Sequence, residues 1–324
     1  MRSSLSKGST TPEPRRAERV IVATAADERR HQPADAFHYV ESWYFDFSRA
    51  DGTGGFVLLA LVPTRRVAWY WAFLVSPEFG LVSVRDHEVP LPRGNALEVR
   101  ADSLWAELVC ETPMEHWGLG LEAFGVRLDD PADAYHGELG ERLAVGLDLE
   151  WEAVTPKYDY PYPGDTGAHY EHAGIVHGEL LVGDARVPFL GRGERDHSWG
   201  ERDWWARAWH WSAFQLDDRF ALNFVQSEGI GDGAFGSIWR PGEELEPVTA
   251  ARVETHLGPE AIPTAARFVL NHELEVDVEV LAAAPVTLEG ADGRTGRLPR
   301  ALCRFTSAEG TGTGWSEWNQ PPTS

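Results

Sequence analysis

The sequence predicts an all-β protein built from two antiparallel β-barrels or curved sandwiches. The first observation is a period of two, which dominates from residue 37 onward. Its clearest run is Leu143 to Ala153, where apolar side chains alternate with polar or small ones. A period of two is typical of a strand that buries one face.

Turn signals between the apolar runs are the second observation. Further runs lie at 57–61, 67–75, 104–110, 175–182, 209–216, 220–226 and 268–281. Pairs such as Asp51-Gly52, Gly183-Asp184 and Asp292-Gly293 separate them and favour tight hairpin turns. Antiparallel strands joined in this way favour barrels or sandwiches, each closing a cavity.

A proline-rich break near the middle of the chain is the third observation. The segment 156–165 contains three prolines, and 324 residues correspond to about two domains. We therefore expect an N-terminal β domain over 36–165 and a C-terminal β domain over 166–324. Residues 1–35 are rich in Ser, Thr, Pro, Arg and Ala, which predicts a disordered tail.

Composition narrows the classes of function. The 29 basic and 51 acidic residues give a net charge of −22, which disfavours binding to nucleic acid. The most apolar stretch, 67–84, is interrupted by Pro77 and Glu78 and falls short of the ~20 residues of a membrane helix. The beginning of the sequence lacks the apolar core of a signal peptide, so we expect a soluble, cytoplasmic protein.

The sequence offers little for a cofactor. On an extended strand at ~3.3 Å per residue, His169 and His177 would lie roughly 26 Å apart, too far to share one ion. Cys-x-x-Cys, His-Glu-x-x-His, Gly-Lys-Ser/Thr and Gly-x-Ser-x-Gly patterns do not occur, and Cys110 and Cys303 lie far apart in the chain. We therefore expect no metal, no nucleotide cofactor and no acyl-transfer chemistry.

Two polar residues stand in phase with apolar neighbours and are expected to point inward. Glu41 shares a strand face with Trp43 and Phe45. It is either a structural carboxylate bonded to an arginine or a turn, or an acid whose pKa is raised by desolvation. His272 is in phase with Leu270 and Leu274, and is either a satisfied core residue or a secondary site residue.

The densest cluster of chemically active residues spans 192–205. It contains two Asp, one His, three Arg and three Trp. One interpretation is a structural corner in which Asp–Arg pairs pin a loop and tryptophans fill a domain interface. The other is the mouth or floor of a cavity that offers a proton donor, a proton acceptor and aromatic faces.

A family resemblance rests on two strings. One is Arg-Asp-His-Ser-Trp-Gly-x-Arg-Asp-Trp at 195–204, followed by Trp209-His210-Trp211; the other is Glu-x-Trp-Tyr-Phe at 41–45. Together they resemble the hydroxyneurosporene synthase (carotenoid hydratase)/AttH-like family, nearest to its uncharacterised bacterial branch. The resemblance covers nearly the whole chain after residue 36. It implies two packed lipocalin-like barrels and relatives that hydrate prenyl groups or cyclise polyketides.

The residues and the resemblance together predict an acid-catalysed hydratase, isomerase or cyclase without a cofactor, acting on a small prenyl, terpenoid or polyketide-like substrate. Asp196 or Asp203 is the candidate acid, with Glu41 in reserve, and His197 would take the proton from water. Residues expected to line the substrate are Trp43, Tyr44, Trp199, Trp204, Trp205, Trp209, Trp211 and, secondarily, His272. The alternative is a carrier of a lipid, steroid or terpenoid, in which Asp196 only ties the barrels together. The oligomeric state is left open.

Overall fold

The computed structural model describes residues 19–162, 167–216, 218–229, 231–290 and 292–321. Short 3-10 helices lie at Ala25–Glu28, Pro63–Arg65, Pro131–Tyr135 and Pro259–Ala261. The strands are, in chain order, β1 (Arg19–Val20), β2 (Tyr39–Ser48), β3 (Gly54–Val62), β4 (Val67–Ser76), β5 (Gly80–Pro90), β6 (Leu97–Ala101), β7 (Leu104–Thr112), β8 (His116–Leu128), β9 (Glu141–Ala153), β10 (Tyr158–Asp159), β11 (Pro161–Tyr162), β12 (Ala168–Val182), β13 (Ala185–Glu201), β14 (Trp209–Leu216), β15 (Phe220–Ser227), β16 (Gly233–Trp239), β17 (Glu246–Leu257), β18 (Pro263–Leu270), β19 (Leu274–Ala283), β20 (Val286–Glu289), β21 (Thr295–Leu298), β22 (Arg300–Ser307) and β23 (Gly310–Asn319).

The first sheet closes on itself because β9 pairs with both β8 and β12. The ring runs β2-β3-β4-β5-β8-β9-β12-β13, and β13 returns to β2. The β6–β7 hairpin branches from β8, and β10 from β12. Alternate side chains of each strand point inward, so large residues such as Trp43, Phe45, Trp117 and Trp151 fill the interior.

The second sheet is a closed antiparallel barrel in the order β14-β15-β16-β17-β18-β19-β22-β23. Its interior is packed with apolar side chains, among them Phe214, Phe224, Phe268, Phe305 and Trp318. All pairings in both barrels are antiparallel. The predicted all-β class with two antiparallel barrels is therefore confirmed.

A third apolar layer joins the two barrels. On β2, Tyr44 points away from the interior of the first barrel and meets Trp211 of β14, with ring centroids 5.6 Å apart. Trp315 of β23 is fully buried in this layer and donates its Nε1 hydrogen to the Phe47 carbonyl at 3.1 Å. The outward faces of β2 and β13 therefore form part of the interface between the barrels.

The change of sheet occurs later than the predicted division after residue 165. Residues 163–166 lie outside the described residues, but β12 and β13 follow them and pair within the first barrel. The first sheet therefore ends at Glu201 and the second begins at Trp209. The prolines interrupt the strand pattern without ending the barrel, and the division into two folding domains stays a prediction.

The segment before the first barrel is ordered from residue 19, contrary to the tail predicted over 1–35. β1 pairs with β11, and the 3-10 helix Ala25–Glu28 carries the buried side chain of Glu28. Composition misses this order because it depends on a few specific contacts with the barrel. Residues 1–18 lie outside the described part of the chain.

Among the described residues, no helix has the length and apolar character needed to span a bilayer.

Candidate functional site

Strand β13 carries polar residues on both of its faces. Because side chains alternate along a strand, Glu194 and Asp196 point toward the second barrel, while Arg195 and His197 point into the first. Two groups result. We call Asp46, His169, Glu171, Glu194 and Asp196 the inter-barrel cluster, and Glu28, His31, Glu41, Tyr170, Arg195 and His197 the first-barrel cluster.

The inter-barrel cluster is dominated by buried carboxyl groups. Desolvation raises the pKa of Asp46 to about 7 and that of Glu171 to about 8, and it raises the pKa of Glu194 well above its ordinary value. The buried guanidinium of Arg300 lies over the Tyr44 ring, 4.4 Å from its centroid, and compensates only part of this charge. Protonated carboxyl groups at this interface are therefore favoured near neutral pH.

Hydrogen bonds fix the buried carboxyl groups in place. Asp46 accepts from the Glu194 backbone N–H at 2.9 Å and from the Tyr44 hydroxyl at 3.0 Å. Glu171 accepts from Trp211 Nε1 at 2.9 Å and from the Tyr160 hydroxyl at 3.0 Å. These bonds span both barrels, so the cluster is rigidly positioned at their interface.

Asp196 differs from the other carboxyl groups because its side chain is only half-buried. Burial of the carboxyl group nevertheless raises its pKa to about 6. Its Oδ1 atom is shielded and has no hydrogen-bond partner within the described part of the chain. Asp196 thus holds its proton up to a higher pH than an ordinary aspartic acid, and it keeps one free acceptor position close to the edge of the interface.

His169 lies beside this carboxyl group. Its Nε2 is 2.8 Å from Glu171 Oε1, but the two groups are not aligned for a hydrogen bond. The imidazole stacks on the Tyr160 ring at 4.4 Å between centroids, and burial lowers its pKa to about 4. His169 is therefore neutral near pH 7 and able to accept a proton.

Glu41 is an ionised carboxylate in the first-barrel cluster. Burial raises its pKa, but hydrogen bonds from His197 and His31 outweigh that effect and hold the pKa below its usual range. His31 Nδ1 is 2.8 Å and His197 Nε2 3.2 Å from Glu41 Oε1, and the His31 backbone N–H also donates to the carboxylate. Glu41 is therefore held by two histidines and a backbone N–H, and not by the arginine of the structural interpretation.

Arg195 is fully buried among the rings of Trp117, Trp151 and Phe45. Its guanidinium forms a two-pronged ion pair with Glu28, in which Nη1 lies 2.8 Å from Oε1. Although burial raises the pKa of Glu28, the Arg195 charge and hydrogen bond hold it below its ordinary value. This buried pair ties the segment before the first barrel to β13.

Three predicted site residues, His197, Asp203 and His272, do not lie beside Asp196. Asp196 and His197 are neighbours on β13 and so lie on opposite faces of the barrel wall. Asp203 is held at the surface by Arg294 at 3.1 Å and lies 3.5 Å from His38 Nε2. His272 is exposed in the turn after β18 with φ of 66°, so its inward orientation was wrong.

The predicted aromatic residues separate into three places. Trp43 stacks on His197 at 4.4 Å and Trp199 on His31 at 3.8 Å, both in the first-barrel cluster. Tyr44 and Trp211 border the inter-barrel cluster. The third group packs around Trp69 and consists of Trp204, Trp205 and Trp209.

Sequence reasoning missed the partners of Asp196. The sequence patterns bring up His169 only as a rejected metal ligand, and they give no role to Asp46, Glu171 and Glu194. The pairing of β12 with β13 sets Glu171 opposite Asp196 and His169 opposite Ser198. The alternation within each strand was visible in the sequence, but this register was not.

Among the residues that the structure describes, two sets of three side chains have the composition of a metal site. They are His31, Glu41 and His197 on one face of the barrel wall and His169, Glu171 and Asp196 on the other. Within each set the ligand atoms lie within 4.8 Å of one another.

A cavity of about 10 Å³ lies between the barrels. It borders Asp46, Glu194 and Gln215 and has room for about one water. A second, of about 210 Å³, lies at the surface beside His272. Neither cavity borders Asp196 or Glu41.

Three solved structures share this architecture. A protein assigned as AttH from Nitrosomonas europaea is 15% identical with a TM-score of 0.66, and the match covers 94% of this chain and 98% of that one. Kievitone hydratase from Nectria haematococca is 12% identical with a TM-score of 0.57, covering 94% of each chain. CghA is 11% identical with a TM-score of 0.54, covering 88% of each chain.

At these identities the likeness is one of fold, and it confirms the predicted AttH-like architecture. No curated protein matches the sequence. The model of the family DUF7064, a domain of unknown function, matches residues 24–322. Because that match spans nearly all of the chain, the protein belongs to the DUF7064 family.

Proposed function

We propose that the protein is a cofactor-independent hydratase of an apolar, unsaturated substrate, with its site at the edge of the inter-barrel cluster. The observation that carries the proposal is the pair of shielded atoms Asp196 Oδ1 and His169 Nε2, which lack hydrogen-bond partners among the described residues. Such atoms are costly to bury unless a ligand uses them. The substrate class is a prenyl, terpenoid or polyketide-like molecule, and the shared fold of kievitone hydratase supports hydration.

In the proposed reaction Asp196 is the general acid and His169 is the general base. Asp196 gives its proton to one carbon of a double bond, which forms a C–H bond and leaves a cation on the neighbouring carbon. The ring faces of Tyr160 and Trp211, which border the cluster, stabilise such a cation by about 0.5–2 kcal/mol each. Water adds to the cation and gives its extra proton to His169. Transfer of this proton back to Asp196 restores the site.

The proposal revises the predicted roles. Asp196 stays the acid, whereas His169 replaces His197 as the base because it lies on the same face of the barrel wall. Glu41 and Asp203 take no part in the proposed reaction, since each is held by neighbouring partners. If the cation lost a proton from carbon before water added, the same pair of groups would catalyse an isomerisation.

The alternative of a carrier receives less support. A lipid or terpenoid carrier of this fold holds its ligand in the barrel interior. In this chain, large side chains such as Trp117 and Phe268 occupy the two interiors.

Replacing Asp196 by Asn is expected to lower kcat by about 10²–10⁴-fold, because the amide cannot give up a proton in the same way. The assay would offer prenylated phenols and acyclic terpenes and detect the added mass of one water. Asp203→Asn is the matched control and is expected to retain activity. Full turnover by Asp196→Asn would refute the assigned acid, and ligand recovered bound but unchanged by the wild type would favour a carrier.

A further inference from the structure

We propose that His31, Glu41 and His197 form a binding site for a divalent transition-metal ion, with Zn²⁺ the best match. The site lies in the first-barrel cluster, on the opposite face of β13 from Asp196. It is independent of the proposed hydration site. Two imidazoles and one carboxylate are a common donor set for Zn²⁺ and Fe²⁺.

The three donor atoms lie within 4.8 Å of one another, close enough to share one ion after a small adjustment of the side chains. His31 Nδ1 and His197 Nε2 lie 2.8 and 3.2 Å from the same atom, Glu41 Oε1. Ligands held ~2.1 Å from one ion in tetrahedral or octahedral geometry are roughly 3.0–3.4 Å apart. The three donors come from the N-terminal segment, β2 and β13, so the fold brings them together from separate parts of the chain.

The remaining nitrogen of each imidazole has a partner of its own. His31 Nε2 is 3.3 Å from Asp27 Oδ1, and His197 Nδ1 is 3.4 Å from the Tyr170 hydroxyl. A carboxylate or hydroxyl on the far nitrogen is the usual way to fix the ring and leave the near nitrogen free for a metal. Both histidines are therefore oriented as ligands.

Packing restricts the two rings further. Trp199 stacks on His31 with an angle of 12° between the planes, and Trp43 stacks on His197 at 20°. The Glu41 carboxylate is anchored by the His31 backbone N–H at 3.0 Å. His31 keeps 22% of its side chain exposed, which leaves a route for the ion. The donors are thus preorganised, and little ordering is needed on binding.

Binding exchanges protons for the ion. In each imidazole the nitrogen that faces the ion gives up its hydrogen, and the far nitrogen, beside Asp27 or the Tyr170 hydroxyl, carries the one hydrogen of the neutral ring. Any further proton leaves to solvent, and the ion takes the place of the hydrogens between the three donor atoms. No redox change is needed, and the fourth position is filled by water.

The test titrates the full-length, chelator-treated protein with Zn²⁺ by calorimetry and with Co²⁺ by visible absorption. We expect one ion per chain and Co²⁺ bands typical of a four- or five-coordinate site. His31→Ala and Glu41→Gln should each weaken Zn²⁺ binding at least tenfold. Asp27→Asn, which changes only the partner of His31, should weaken it by about 10-fold.

His116→Ala is the matched control, since His116 forms an exposed pair with Glu150 at 2.6 Å that is not part of the cluster. It is expected to bind Zn²⁺ as the wild type does. If Glu41→Gln fails to fold, the Zn²⁺ affinity of His31→Ala tests the proposal instead, because the His31 side chain belongs to the segment before the barrel and not to one of its strands. Absence of binding by the wild type, or equal binding by His31→Ala, would overturn the proposal. Loss of binding only in His169→Ala would place the ion in the inter-barrel cluster and overturn it as well.

Discussion

Replacing Glu28 by Gln is expected to lower the free energy of unfolding by about 3–5 kcal/mol, the usual cost of removing one partner of a buried ion pair. The Arg195 guanidinium is fully buried, and Glu28 supplies its carboxylate. The amide of Gln cannot neutralise that charge, so Arg195 would stay charged in an apolar surrounding. Equilibrium unfolding in urea measures the difference.

An exposed ion pair serves as the control for this substitution. Arg267 and Glu275 are 2.7 Å apart, but about half or more of each side chain is exposed. Glu275→Gln is expected to cost less than about 1 kcal/mol, because water screens the pair. A cost for Glu28→Gln no larger than that of the control would contradict the assigned role of the buried pair.

The free energy of unfolding is expected to fall as the pH rises from about 5 to about 8. Burial raises the pKa of Asp46 from 3.8 to about 7 and that of Glu171 from 4.5 to about 8. Between the ordinary and the raised pKa, the folded protein binds more protons than the unfolded chain, so stability decreases with pH. For Asp46 alone the loss between pH 5 and 7 is on the order of 3 kcal/mol, at 1.36 kcal/mol per pKa unit.

The opposite behaviour is expected in more acidic solution. The pKa values of Glu28 and Glu41 lie below 4.5, so their stabilising contacts are present above that pH and lost as the pH falls through their folded-state values. Maximal stability is therefore expected near pH 5. Urea unfolding of the wild type and of Asp46→Asn at several pH values measures the slope. Equal slopes between pH 5 and 8 in the two proteins would show that Asp46 does not contribute to it.

Much of the fold could be read from local patterns. The run 209–216 coincides with β14, and the alternation that begins at Leu143 lies within β9. The run 268–281 is not the single strand that its pattern predicts. Asn271 and His272 adopt φ values of 49° and 66° and form a hairpin turn. The alternation of apolar residues continues through His272 although the chain reverses there. Phase alone therefore cannot separate a strand from a tight turn between two strands.

Only part of the candidate site could be predicted from the sequence. The string at 195–204 pointed to β13, and Asp196 does have the raised pKa expected of an acid. Its neighbour His197 was assigned to the same site, although alternation along a strand separates adjacent side chains. His169 is brought beside Glu171 and Asp196 by the pairing of β12 with β13, which is a long-range property. Local sequence carries no direct record of such pairing.

The segment at 19–35 has a practical consequence for proteolysis. It lies outside the ring of eight strands, yet it supplies Glu28 to Arg195 and the His31 backbone N–H to Glu41. Loss of this segment after cleavage behind residue 35 would leave the buried Arg195 guanidinium without its carboxylate and Glu41 without the His31 contacts, with His197 still beside it. A protease acting at that point would therefore start the unfolding of the first barrel rather than simply shorten the chain.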